Sequence, residues 1–158
     1  MPVTRFRNYD DLIAFLKENN VPHRAEPEKL TVHVTIGDPQ KVSDVHIRWE
    51  KDLPFVQVIF PFVPEVPAAR IAEVETAICR ANNQIKLPGF GLEYQHFFIY
   101  MRVVIQLAED GVAAHLFQRQ VFSVIQNASE FVGAFRDVVA GAPGKDILEL
   151  ALKHNPPK

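Results

Sequence analysis

Six histidines are the most chemically versatile side chains in this sequence, and two of them have a suggestive spacing. His33 and His46 fall on the polar sides of two alternating segments, with Arg48 following on the second. Two imidazoles on neighbouring strands can begin a zinc or nickel site, or, together with Arg48, the polar side of a small-ligand pocket. A metal would need a third donor, and none stands near them in sequence, so the ordinary reading is a solvated or hydrogen-bonded pair of strand histidines. His96 lies near a turn, His115 near a helix start and His154 in the tail, and none is placed beside a nucleophile in a recognisable motif. Cys79 is the single cysteine, which leaves no intrachain disulfide and no cysteine-rich zinc site; its place in a helix next to Ile78 predicts a buried, inert thiol. The acidic pairs Asp10-Asp11, Glu26/Glu28 and Glu109-Asp110 sit in loops or helix starts, where carboxylates favour water and the helix dipole. General acid-base work requires a pair held in a cleft with separated pKa values, and nothing here predicts one. Gly89-Phe90-Gly91 is too short and apolar to cradle a phosphate. No catalytic constellation, cofactor motif or metal set stands out.

These side chains must be positioned by the elements around them. A helix is predicted from Tyr9 to Asn19, with Leu12, Ile13, Phe15 and Leu16 on its apolar side and Asn8 as N-cap. Pro22 to Lys29 reads as a connection or a weak edge strand. Val32, Val34 and Ile36 then alternate with Thr31, His33 and Thr35, and Val45, Ile47 and Trp49 with His46, Arg48 and Glu50. This is the period-two pattern of a hairpin, turning at Gly37-Asp38-Pro39. Phe55 to Phe60 is a third strand, apolar on nearly both sides.

The organising stretch runs from Pro67 to Ile105. Ile71, Val74, Ile78, Ala81 and Ile85 recur at helical steps. Asn82-Asn83 and a Pro88-Gly89 turn are expected to end that helix, and the aromatic and β-branched run Phe97 to Ile105 is a central strand. A long helical pattern follows, from a cap at Asp110 through Phe117, Val121, Ile125, Ala128, Val132, Phe135 and Val139, with Asn127 and Ser129 as points of interruption. Gly141, Pro143 and Gly144 close it, and Lys145 to Lys153 forms a short last helix.

The predicted class is α+β: an antiparallel sheet of about five strands with helices, in the order α-β-β-β-α-β-β-α plus a short C-terminal helix. One domain is expected, residues 1–141, with residues 142–158 as a helical extension of it. The 158 residues are enough to bury a core without disulfide or metal. A net charge of -2 offers no field of one sign for nucleic acid or an anionic membrane. No stretch has the length to span a bilayer and the N-terminus lacks the apolar run of a signal peptide, so a cytoplasmic protein is expected.

This order, together with particular residues, resembles the YbjN family and the type III secretion chaperone-like fold, over Tyr9 to Gly141. The residues that carry the resemblance are the helix end at Asn82-Asn83, the return into strand at Leu87-Pro88-Gly89-Phe90-Gly91-Leu92-Glu93, the strand Arg102-Val103-Val104-Ile105-Gln106-Leu107, and the long last helix with Phe131, Phe135 and Gly141. The chain departs from the pattern at Tyr94-Gln95-His96, where relatives commonly turn with Gly or Asp, and in the tail beyond Gly141. The resemblance implies a non-enzymatic, regulatory or chaperone-like binding protein without a cofactor, and a dimer around which a client peptide wraps in extended form.

The residues themselves add one physical reason for a binding role. The last long strand is apolar on both sides, with Ile99, Met101, Val103 and Ile105 facing one way and Phe98, Tyr100 and Val104 the other. Phe55 and Phe62 extend the apolar surface. Helices on one face alone leave the other to be covered by the terminal helix, by a second copy, or by a partner segment. Phe55, Phe62, Phe98, Tyr100 and Val104 are therefore the expected contact residues.

Overall fold

The computed structural model describes residues 4–36, 43–86 and 89–157. Its strands form a six-stranded antiparallel sheet in the order β2-β3-β4-β5-β7-β6 and a separate two-stranded ribbon, β1-β8. The turns expected at Gly37-Asp38-Pro39 and through Leu87-Pro88 lie outside the described residues. The packing separates two compact units: Met1–Phe60 with Val103–Val124, and Pro61–Arg102 with Ile125–Lys158.

In the first unit, α1 (Tyr9–Glu18) begins where the Asn8 side chain accepts a hydrogen bond from the Asp11 amide at 2.9 Å, the expected N-cap. Leu12 and Leu16 form its buried stripe. The short strand β1 (Arg5–Phe6) pairs antiparallel with β8 (Val112–Ala113). This pairing buries Phe6 completely, edge-on to Phe15 at 5.0 Å and to Phe117 at 5.1 Å. Two residues are too few for a periodic signal, so this ribbon has no signature in the sequence pattern. It also reassigns Asp110, which caps no helix: its side chain and carbonyl accept from the Arg5 guanidinium at 2.8 and 3.0 Å.

The weak edge strand is real, as β2 (His23–Glu26), followed by β3 (Thr31–Ile36), β4 (Ser43–Trp49) and β5 (Phe55–Val63). Pairing in register places His33 opposite His46, and Val32 opposite Ile47. Val32, Val34, Val45, Ile47, Trp49, Val56 and Val58 are buried on one face, as the alternation requires.

In the second unit, a 3-10 turn at Ala68–Arg70 leads into α2 (Ile71–Gln84). Its buried stripe is Val74, Ala77 and Ala81, which turns Cys79 outward. The expected buried thiol is thus exposed, because the packed face is narrower than the apolar residues suggest. The helix runs past Asn82 to Gln84 with no left-handed residue at its end, and the Asn82 side chain serves instead to bind the next strand. Its carbonyl accepts from the amides of Gly89 and Phe90 at 3.0 and 2.9 Å, and its amide donates to the Phe90 carbonyl at 2.9 Å. This ties α2 to β6 (Phe90–Glu93), the edge strand, which pairs with β7 (Phe98–Gln106) from Phe90 opposite Met101 to Glu93 opposite Phe98. At Tyr94-Gln95-His96-Phe97 it is Phe97, at φ 54°, that takes the left-handed position of a turn glycine, while the Glu93 carboxylate accepts from the amides of Gln95 and His96 at 2.9 and 2.6 Å.

The last long helix, α3 (Ala114–Ala140), passes through Asn127 and Ser129 without interruption. Its end is held by Arg70, which donates to the carbonyls of Val138 in the last turn and of Ala142 just beyond it. A 3-10 turn and α4 (Ile147–His154) follow. Gly144 lies against α2 so closely that a Cβ there would stand 1.9 Å from the Glu73 carbonyl oxygen. Among the described residues no helix is long and apolar enough to cross a membrane.

Candidate functional site

His33, His46 and Arg48 in the first unit and Phe98 and Tyr100 in the second are outward side chains of strands, and their surroundings differ. In the first unit, the rings of His33 and His46 meet edge-to-face at 4.4 Å. His33 Nε2 lies 3.1 Å from the Glu26 carboxylate, which also accepts from Lys29 at 2.8 Å and faces Arg24 at 3.4 Å. The hydrogen bond from Lys29 and the surrounding positive charge hold the Glu26 carboxyl below its usual range. Burial, and then the neighbouring His33, push the His46 imidazole below its ordinary 6.5, against an upward pull from Asp44. Arg48 lies 3.2 Å from Glu50, which also accepts from Gln57 at 2.7 Å. The three polar candidates therefore share a face, but His33 and Arg48 each have a carboxylate partner within the chain. Among the described residues no three His, Cys, Asp or Glu side chains gather as a metal site requires.

The apolar candidates divide by environment. In the first unit Phe55 is half-buried at the start of β5, while Val104 on β7 is 51% exposed. In the second, Phe98 and Tyr100 are half-buried neighbours, ring to ring at 6.2 Å. Phe62 does not join them. It packs at 5.8 Å from both Phe90 and Phe135, within a cluster completed by Phe131. Phe62 has the parity of the buried Val56, Val58 and Phe60, not of Phe55, so alternation along β5 already turns it towards the packed side.

Two residues that the sequence reading did not single out complete the aromatic patch. Gly91 is the cross-strand partner of Tyr100, and a Cβ at Gly91 would come within 2.4 Å of the phenol ring. The tyrosine thus lies across the bare glycine, an arrangement that offsets the packing a strand glycine lacks. Arg102 brings its guanidinium carbon to 5.8 Å from the centre of the same ring. A glycine opposite a tyrosine would have been the signal, but it is readable only once the register is known.

Antiparallel strands with α-helices, in this order, define an α+β fold of the YbjN type. In the solved structures the chain is similar to YbjN from E. coli, described as a candidate transcription regulator. The TM-score is 0.54 over 82% of this chain and 87% of that one, at 10% sequence identity. No family model and no curated protein matches the sequence.

Proposed function

We propose that this protein is a non-catalytic binding module of the regulatory or adaptor type, working in the cytoplasm. It holds an apolar segment of a protein partner on outward sheet side chains and pairs with a second copy of itself. The observation that carries the proposal is the Phe98-Tyr100 ring pair of the second unit, with Tyr100 laid over Gly91. Aromatic rings with one polar tip and little conformational freedom are the side chains that protein contacts favour. The description of YbjN as a candidate regulator supports the regulatory part of this reading. The proposed contact residues are then Phe98 and Tyr100 in the second unit and, in the first, Val104 and Phe55; Phe62 belongs to the packed cluster.

The other reading places a small ligand or a metal on His33, His46 and Arg48. It has less support, because Glu26 and Glu50 already engage two of those three groups.

Light scattering coupled to size exclusion tests the proposal. The wild-type protein is expected to run as a dimer and the Phe98→Asp, Tyr100→Asp variant as a folded monomer. A wild-type monomer, or a variant that remains dimeric, would refute the pairing.

A further inference from the structure

The first unit also contains a cavity of about 320 Å³, separate from the outward sheet face. Leu12, Leu16, Val34, Ile47, Val121 and Phe122 provide much of its wall, and among the described residues no Asp, Glu, Lys, Arg or His lines it. We infer that this cavity binds a small, uncharged, apolar molecule.

Three observations select that class of ligand. The described wall carries no charge to compensate a charged ligand, and burying one there would be costly. The volume lies at the lower end of the range for small-molecule sites. An extended peptide is disfavoured for a different reason. Of the backbone at the wall, β3 is already paired on both sides, with β2 and β4, and the Thr35 amide donates to the Pro22 carbonyl. No strand edge is left there for a peptide to join.

Polar groups at the site are few. The Thr35 hydroxyl donates to Asp44 at 2.9 Å, and Gln118 places one amide at the wall, enough to orient a single polar group of a ligand. Phe122, 61% exposed, stands where the cavity meets solvent. An exposed phenylalanine at the mouth of an apolar cavity gains cover when the cavity fills.

The test is titration with N-phenyl-1-naphthylamine, a neutral apolar probe whose fluorescence rises out of water. Saturable binding of one probe per chain is expected, weakened at least tenfold by Val121→Phe, which fills the cavity, and several-fold by Phe122→Ser at the exposed mouth. Circular dichroism should show both variants folded; if Val121→Phe misfolds, Phe122→Ser alone decides. Binding should persist in the Phe98→Asp, Tyr100→Asp variant, which makes this result independent of the proposed contact surface. Non-saturable binding, binding untouched by the cavity variants, or binding abolished by the sheet-face variant would overturn the inference. So would loss of the probe as the chain self-associates at high concentration, since a second copy would then be the occupant.

Discussion

The outward side chains of the sheet follow one rule of alternation, yet those of the two units have opposite chemistry. In the first unit His33 and Arg48 are held by Glu26 and Glu50, so charged groups are answered within the chain. In the second, Phe98 and Tyr100 present aromatic surface, and their neighbours are each other, a glycine and an arginine. Exposed ion pairs contribute little to stability, whereas aromatic surface gains from being covered. The comparison therefore supports the proposal that the aromatic pair is the contact surface, while the histidines have partners inside the unit.

The largest expected effect separates the surface aromatics from the packed ones. Phe135 is fully buried and touches Phe62, Phe90 and Phe131. Phe135→Ala should cost about 3–5 kcal/mol in urea unfolding, while Tyr100→Ala should cost about 1 kcal/mol. Equal losses would make Tyr100 ordinary core and remove the distinction.

Gly91→Ala gives a smaller effect at a more specific place. The added methyl meets the movable end of Tyr100, so the ring must swing away at a cost of about 1–3 kcal/mol. NMR should show the Tyr100 ring resonances shifting, and self-association should weaken. An unchanged ring environment would contradict the arrangement over Gly91.

The smallest effect concerns the histidine pair. Because the folded-state pKa of His46 is depressed below 6.5, the unfolded imidazole takes up a proton where the folded one does not. Its contribution to stability is complete above that value and is lost as pH falls through the lower folded pKa. His33 and Arg24 oppose protonation of His46, while Asp44 and Glu26 favour it. Unfolding measured between about pH 7 and about pH 5 should show a decline that His46→Gln flattens. Parallel curves for the two proteins would remove His46 as the cause. The loss attached to Glu26 belongs to a more acidic window, below its ordinary 4.5.

The sequence carried the elements further than it carried their contacts. The alternation of Val32 to Ile36 and Val45 to Trp49 placed both strands, and even the pairing of His33 with His46 followed from it. The cap at Asn8 and the long helix through Phe135 were equally readable, since local periodicity and capping determine them. The β1-β8 ribbon was not, because its partners are more than 100 residues apart and each strand has two residues. Asp110 was misassigned for the same reason: an acidic residue before a helix looks like a cap until a distant arginine claims it. At the candidate site Phe98, Tyr100 and Val104 were legible from parity. Phe62 was grouped with Phe55 for its apolar character, although its parity is that of the buried Val56, Val58 and Phe60, and Gly91 and Arg102 acquire meaning only through register and proximity to Tyr100.

The most direct measurement uses the contrast between the two kinds of outward residue. A photoreactive benzoylphenylalanine placed at Tyr100, and in a second sample at Arg48, is irradiated in the purified protein. The account predicts a covalent adduct of twice the chain mass from position 100 and none from position 48. Crosslinking from position 48 alone, or equally from both, would contradict it.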